Sequence, residues 1–362
     1  MRPQTLALLA ALASATPITN EKRQIGGLGA LSAGLMDPKT IGQLANLVQP
    51  TKVEALPAKV RKGAKRQRLI WGPFDFVAGN ATVPGMPGIQ MDPHGQVTMR
   101  RLGGFCTDCT VIHGAAYVAN ADGGRVDVKE GAYLHHLLIL NPTKRVPSYY
   151  TCSANGGAPV SQTVPSSYFL GSGVDESEYF FTTPDGTYNS GYYVGSRDGF
   201  MMQSEIVNYN PEARRWYIAA EYEYELGKPA GAEDAGYQPP QGEARFNKTS
   251  PEFVIARDGT ILHAMGHLHD GGTNIELLVN GRLVCDSRAT YGGSQGTFVN
   301  ADGSKWETIS SMSNCRDPIR VKKGDVMSMI SRYDTKLHPL RETVDGHMME
   351  EMGIYTLFFA TK

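Results

Sequence analysis

The chain has 362 residues, 41% of them hydrophobic, which is enough for two full cores rather than one small core stapled by cross-links. Lys and Arg number 35 against 36 Asp and Glu, a formal net charge of −1, so there is no global field to attract nucleic acid or anionic lipid. No basic stripe with interleaved aromatics is present either, and neither nucleic acid nor membrane is expected as a partner.

At the N-terminus, Arg2, the apolar run Leu6 to Leu12 and the small residues Ala13-Ser14-Ala15 have the layout of a secretory signal over residues 1–15, which predicts a secreted, extracellular protein. No later run reaches the ~20 apolar residues of a membrane helix. Lys22-Arg23 and Lys65-Arg66 are dibasic pairs, read either as processing sites that make 16–66 a candidate propeptide or linker, or as ordinary exposed basic residues. One short helix is predicted there, with Asp37 as cap, Pro38 in the first turn, Ile41, Leu44, Leu47 and Val48 on one face, and Pro50 as its stop.

From Leu69 onward, short runs of Val, Ile, Tyr, Phe and Thr alternate with turn dipeptides such as Asp122-Gly, Asp258-Gly and Asn280-Gly. The chain reads as all-β, of the sandwich or jelly-roll kind. A first domain is expected over 67–226, a Gly-, Pro- and Ala-rich linker over 227–250 and a second domain over 251–362. The clearest strand is Arg215 to Leu226, where Trp216, Ile218, Ala220, Tyr222, Tyr224 and Leu226 share a packed face and Glu221, Glu223 and Glu225 a wet one. Ile275 to Cys285 reads as a hairpin around a type I′ turn at Asn280-Gly281.

Asn80-Ala-Thr and Asn247-Lys-Thr are glycosylation acceptors in an exported chain. The cysteines number five, so disulfides with one thiol left over are expected. Cys285 and Cys315 both flank strand-like segments of the second half and are the expected bridge. Cys106-Thr-Asp-Cys109 lacks the second pair of a zinc site and the βαβ setting of a redox motif, so it reads as a structural disulfide, within the pair or to Cys152.

The chemistry resides in histidines. His267-Leu-His269, followed by Asp-Gly-Gly, puts two imidazoles on one face of a strand, with His263 and Met265 at the same parity. Such a pair either chelates a metal or shares a face by chance; Met352, opening the last strand-like run, is either a sulfur ligand or core. Two imidazoles and one soft sulfur suit copper better than zinc or magnesium. His135-His136 are adjacent, so both reach one ion only at a bulge or a distorted strand end. A hydrolytic reading finds no Gly-x-Ser-x-Gly elbow and no paired carboxylates in apolar runs.

Tyr-Leu-His135-His136-Leu-Leu-Ile, His267-Leu-His269-Asp-Gly-Gly and Glu351-Met352, in that order, resemble the copper type II, ascorbate-dependent monooxygenases, the family of peptidylglycine alpha-hydroxylating monooxygenase. Gly266 to the C-terminus, with Val284-Cys285, Ser313-Asn-Cys315 and Met352-Gly-Ile-Tyr, is also similar to the stress-up-regulated nodulin-like secreted proteins. The first resemblance implies two antiparallel β-sandwich domains facing across a cleft, with a copper on each. His267, His269 and Met352 match the oxygen-binding site, and His135 and His136 two ligands of an electron-transfer site. The family's third histidine, in a Gln-x-His-Tyr strand, falls here on Gln203 to Tyr209 and is met by Asn208, which leaves that site weakened, completed by a residue such as His94 or His113, or empty. The function implied is copper-dependent oxidation of a small molecule or peptide with dioxygen and an external reductant. The alternative is a non-catalytic secreted metal-binding, cell-wall or stress protein on the same scaffold.

Overall fold

A computed structural model describes residues 44–83, 90, 92, 94–144, 150–152, 167–173, 178–237, 249–250, 252–299, 303, 305–341 and 351–361. Its first half carries β1 (Leu47–Val48), β2 (Lys52–Leu56), β3 (Lys65–Phe76), β4 (Gln96–Leu102), β5 (Cys109–Ala119), β6 (Ala132–Asn141), β7 (Tyr150–Cys152), β8 (Ser167–Ser172), β9 (Tyr179–Phe180), β10 (Ser190–Val194), β11 (Phe200–Asn208) and β12 (Arg214–Leu226). Then follow β13 (Glu233–Tyr237), β14 (Phe253–Ile255), β15 (Gly259–Leu268), β16 (Gly272–Val279), β17 (Arg282–Tyr291), β18 (Thr297–Val299), β19 (Lys305–Glu307), β20 (Ile309–Met312), β21 (Asn314–Cys315), β22 (Ile319–Val321), β23 (Val326–Tyr333) and β24 (Gly353–Thr361). The all-β expectation holds, with helix confined to single short turns among the described residues.

The strands form several sheets, mostly antiparallel, with parallel pairs at β1–β4 and β10–β13. One path runs β1-β4-β11-β6-β8-β13-β10-β5-β12-β3-β2, and a second β20-β17-β16-β23-β14-β7. Strand β13 lies inside the stretch read as a linker, where it pairs with β10, β8 and β24 and so ties the halves together. Residues 238–248 of that stretch, Asn247 among them, fall outside the described set. Asn80 is exposed.

Two hydrophobic cores share one pair of strands. Leu262 of β15 and Phe358 and Ala360 of β24 pack into the core built by the first half, around Trp71, Phe169 and Tyr222. Their neighbours Ile261, Ala264, Leu357 and Phe359 pack into the core of the second half, around Phe253, Ile275 and Met329. A strand with both faces buried needs apolar residues at every position, which is why Gly353 to Thr361 reads as a continuous apolar run.

The hairpin β16–β17 turns at Asn280 and Gly281, with φ of 51° and 73°, the left-handed pair that a type I′ turn requires. Two disulfides, Cys285–Cys315 and Cys106–Cys109, are formed, as the sequence suggests.

Residues 37–43 of the expected helix lie outside the described set, while Leu47 and Val48, assigned to the same helix, instead pair in parallel with Arg101 and Leu102. Lys65-Arg66 opens β3, with Lys65 exposed and Arg66 paired with Leu56 on one side and Glu223 on the other. Strands β1 and β2 belong to the same sheet, and residues 57–61 lead on from them to β3. They also explain why the acidic face of β12 is not wet. Glu223 is fully buried, its carboxylate accepting from the amides of Lys59 (2.5 Å), Val60 (3.0 Å) and Arg61 (2.7 Å). Arg61 pairs with Glu225 at 2.6 Å, and Arg66, Arg68 and the Tyr117 hydroxyl converge on Glu221. Alternation along a strand shows which residues share a face; it does not show whether another segment covers that face.

Replacing Glu223 by Ala strips three part-buried amides of their acceptor, each loss costing about 1 kcal/mol before relaxation. Urea unfolding of the E223A variant is expected to show roughly 3 kcal/mol less stability than wild type, with Arg61→Ala losing clearly less.

Candidate metal centre

Strand β6 brings His135 and His136 to a bulge. Opposite it on β11, Glu205 pairs with His136 and Ile206 with Leu134, so the register skips His135. That extra residue is what lets adjacent side chains reach one point. His135 Nδ1 lies 3.2 Å and His136 Nδ1 3.5 Å from the same oxygen, Glu205 Oε2. His135, His136 and Glu205 thus converge as a group able to hold a metal ion.

The second pair arrives from the other half. His267 lies one residue before the end of β15, opposite Ile354 of β24, and His269 follows the strand, its amide donating to the Met352 carbonyl at 3.1 Å. The Tyr333 hydroxyl donates to the same carbonyl at 2.5 Å. The next residue, Asp270, is buried and anchors the turn by accepting from Thr308 Oγ1 (2.8 Å) and the Ile309 amide (3.2 Å); its burial raises its carboxyl above the usual range. Gly271, at φ of +93°, makes the reversal that a side chain would resist.

The sequence assigns these pairs to two separate sites, but the structure puts them side by side. The ring of His135 lies 5.5 Å from that of His136 and 5.5 Å from that of His269, and His267 lies 5.6 Å from His269, all between centroids. A metal ~2.1 Å from an imidazole nitrogen lies ~3.2 Å from the ring centre, so two imidazoles on one tetrahedral ion have centres ~5 Å apart. These spacings make the two pairs neighbours, while the residues whose donor atoms all lie within 4.8 Å of one another are His135, His136 and Glu205.

Electrostatics keeps the donors in the form a metal needs. Burial pushes His136 down to about 4, with the neighbouring His135 and His267 adding to the effect and Glu205 opposing it, so the ring is neutral at pH 7. Burial would raise the Glu205 carboxyl, but His135, His136 and the Asp92 amide outweigh it and hold it below its usual value.

Asn208 does not stand where the missing histidine was expected. It sits opposite Ala132, and its amide is taken up by the carbonyls of Val77 and Glu212 (2.8 Å each) and by Asn210. The residue facing the histidine pair is Glu205, three positions earlier. Its signal in the sequence is a carboxylate between the apolar pairs Met201-Met202 and Ile206-Val207, in a strand buried at every position. His113 lies elsewhere, in register with Phe180 and 3.8 Å from Glu178. His94 lines a small cleft with Asn208, Phe76 and Ile206. His263 runs in regular register with Met265 and His267 along β24, yet its ring stacks on Phe358 at 5.5 Å while Met265 packs into the second core.

Among known proteins, the sequence profile of the stress up-regulated Nod 19 family matches residues 208–348, a span that holds His267 and His269 but not His135, His136 or Glu205. The chain is 28% identical over 273 residues to the probable copper-dependent oxygenase M1 of a Phoma species, covering 71% of this chain and 65% of M1. It is 27% identical over 257 residues to the probable copper-dependent oxygenase clz3 of Cochliobolus lunatus, covering 67% of this chain and 76% of clz3. The chain therefore spans just under two thirds of the length of M1. PNGF-II superposes with a TM-score of 0.33 at 8% identity over 86% of this chain and 65% of its own, too loosely to inform fold or function.

His263 generates a pH prediction for the metal-free protein. Burial pushes its imidazole down to about 4, against 6.5 when unfolded, with Arg316 and His113 acting in the same direction and Asn314 opposing. Between those values the unfolded chain binds a proton that the folded chain refuses, so stability falls as pH drops from 6.5 toward 4 and is unaffected above. The loss from this residue is on the order of 2–3 kcal/mol between pH 7 and 4.5. Urea titrations at the two pH values should show it, and a His263→Leu variant should have the smaller difference.

Proposed function

We propose that this chain is a copper-dependent oxygenase, acting on a small molecule or peptide with dioxygen and electrons from an external reductant. The observation that carries the reading is the convergence of His135, His136 and Glu205, with His269 and His267 of the other half beside them, in a chain whose relatives M1 and clz3 are named probable copper-dependent oxygenases. His135, His136, His267 and His269 supply the nitrogen donors that copper takes in both oxidation states, and Glu205 a charged oxygen that offsets the cation. Met352, held next to His269 through its carbonyl, is the candidate soft donor for the reduced ion. Copper bound there would supply one-electron chemistry toward dioxygen.

In this reading the two halves are sandwich-like domains meeting at the centre, where His267 and His269 of the second add donors to the first-half group. The disulfides and the signal-like N-terminus support export to an oxidising compartment. Asn80 would then carry glycan.

Copper content sorts the alternatives. The purified, copper-reconstituted full chain is expected to hold about one copper, and His135→Ala and His269→Ala should each weaken binding by at least ~100-fold, since both remove a donor from one ion. Retention of half the copper in either variant would mean two separate sites. Oxygen uptake with an ascorbate-class reductant completes the test: bound copper without uptake would favour the non-catalytic binder.

A further inference from the structure

A chain of buried contacts leads from the second half of the molecule to Glu205. Arg341, on the segment after β23, pairs with Asp92 of the first half, its Nη2 2.5 Å from Oδ2, with both side chains nearly excluded from solvent. The guanidinium also lies 4.1 Å over the Tyr133 ring and donates to the Tyr209 hydroxyl. Asp92 in turn organises a tight turn: its Oδ1 accepts from the His94 amide (2.9 Å) and its carbonyl from the Gly95 amide (2.8 Å). This turn aims the Asp92 amide at Glu205 Oε1, 2.7 Å away. Position 95 must be small for this to happen, because a Cβ there would stand 2.3 Å from the same Oε1.

The consequence is a division of labour between the two oxygens of Glu205. Oε1 is engaged by the Asp92 amide, and Oε2 is the one presented to His135 and His136. An isolated buried ion pair adds little net stability over an apolar pair of the same shape, so Arg341–Asp92 is poorly explained as a stabilising device alone. We propose that Arg341 and Asp92 are positioning residues that fix the orientation of the Glu205 carboxylate toward His135 and His136, so that a residue of the second half sets the geometry of a first-half donor. This rests on reading the cluster as the metal centre, although the orientation exists without metal.

The test therefore has a metal-free arm. In the full chain with ¹⁵N-labelled histidine, Glu205→Gln should shift the His135 Nδ1 resonance. R341Q and D92N should move it the same way by at least half as much, R341K should leave it near wild type, and G95A, which crowds Oε1 without touching the ion pair, should also move it. A wild-type resonance in folded R341Q, or in folded D92N should R341Q not fold, overturns the proposal.

In the second arm, competition titration with copper should show affinity reduced ~10–100-fold in R341Q and in D92N, with the double variant no worse than either single. Unchanged affinity alongside a lowered melting temperature would make the pair merely structural and would also overturn it. If wild type takes up no copper, the oxygenase reading fails, while the nitrogen resonances still decide the positioning role.

Discussion

The carboxylate of Glu205 is the constraint around which the centre is organised. A charge in a strand buried at every position needs polar company, and here an amide from the 92–95 turn bonds one oxygen while two imidazoles lie within 3.5 Å of the other. The bulge at His135 follows from the same demand. In a regular strand one of the two adjacent rings would point away, leaving the carboxylate with a single partner on that side. Local irregularity in β6 and burial of an acid in β11 are therefore two aspects of one arrangement.

Much of this was legible in the residues. The i, i+2 spacing of His267 and His269 announces a shared face, Asn280-Gly281 announces its turn, and the requirement for a bulge at His135-His136 follows from strand geometry. The third partner of that pair was not legible, because a short family pattern does not fix which residue of β11 stands opposite it. Only the pairing of β11 with β6 shows that Glu205, and not Asn208, stands opposite. The proximity of His135 to His269, more than 130 positions apart, is likewise a tertiary fact that no local pattern encodes.

The acidic face of β12 shows the same limit from another side. Alternation placed Glu221, Glu223 and Glu225 together correctly, but whether they meet water depends on residues 59–68, which arrive from more than 150 positions away. Backbone amides and arginines cover the three carboxylates without removing their charge. A polar face in an alternating strand is therefore a statement about chemistry, and its solvent exposure is a separate question.

The strand at 353–361 belongs to both cores at once, since Phe358 and Ala360 complete the first and Leu357 and Phe359 the second. During synthesis the first half would normally be free to fold as soon as it emerged. Here its core lacks two buried side chains until the final strand has been made, and β13, held between β8, β10 and β24, lacks a neighbour until the same moment. The nascent chain must wait with apolar surface uncovered, which makes chaperone holding until the last strand is made, rather than stepwise domain completion, the natural route to this fold.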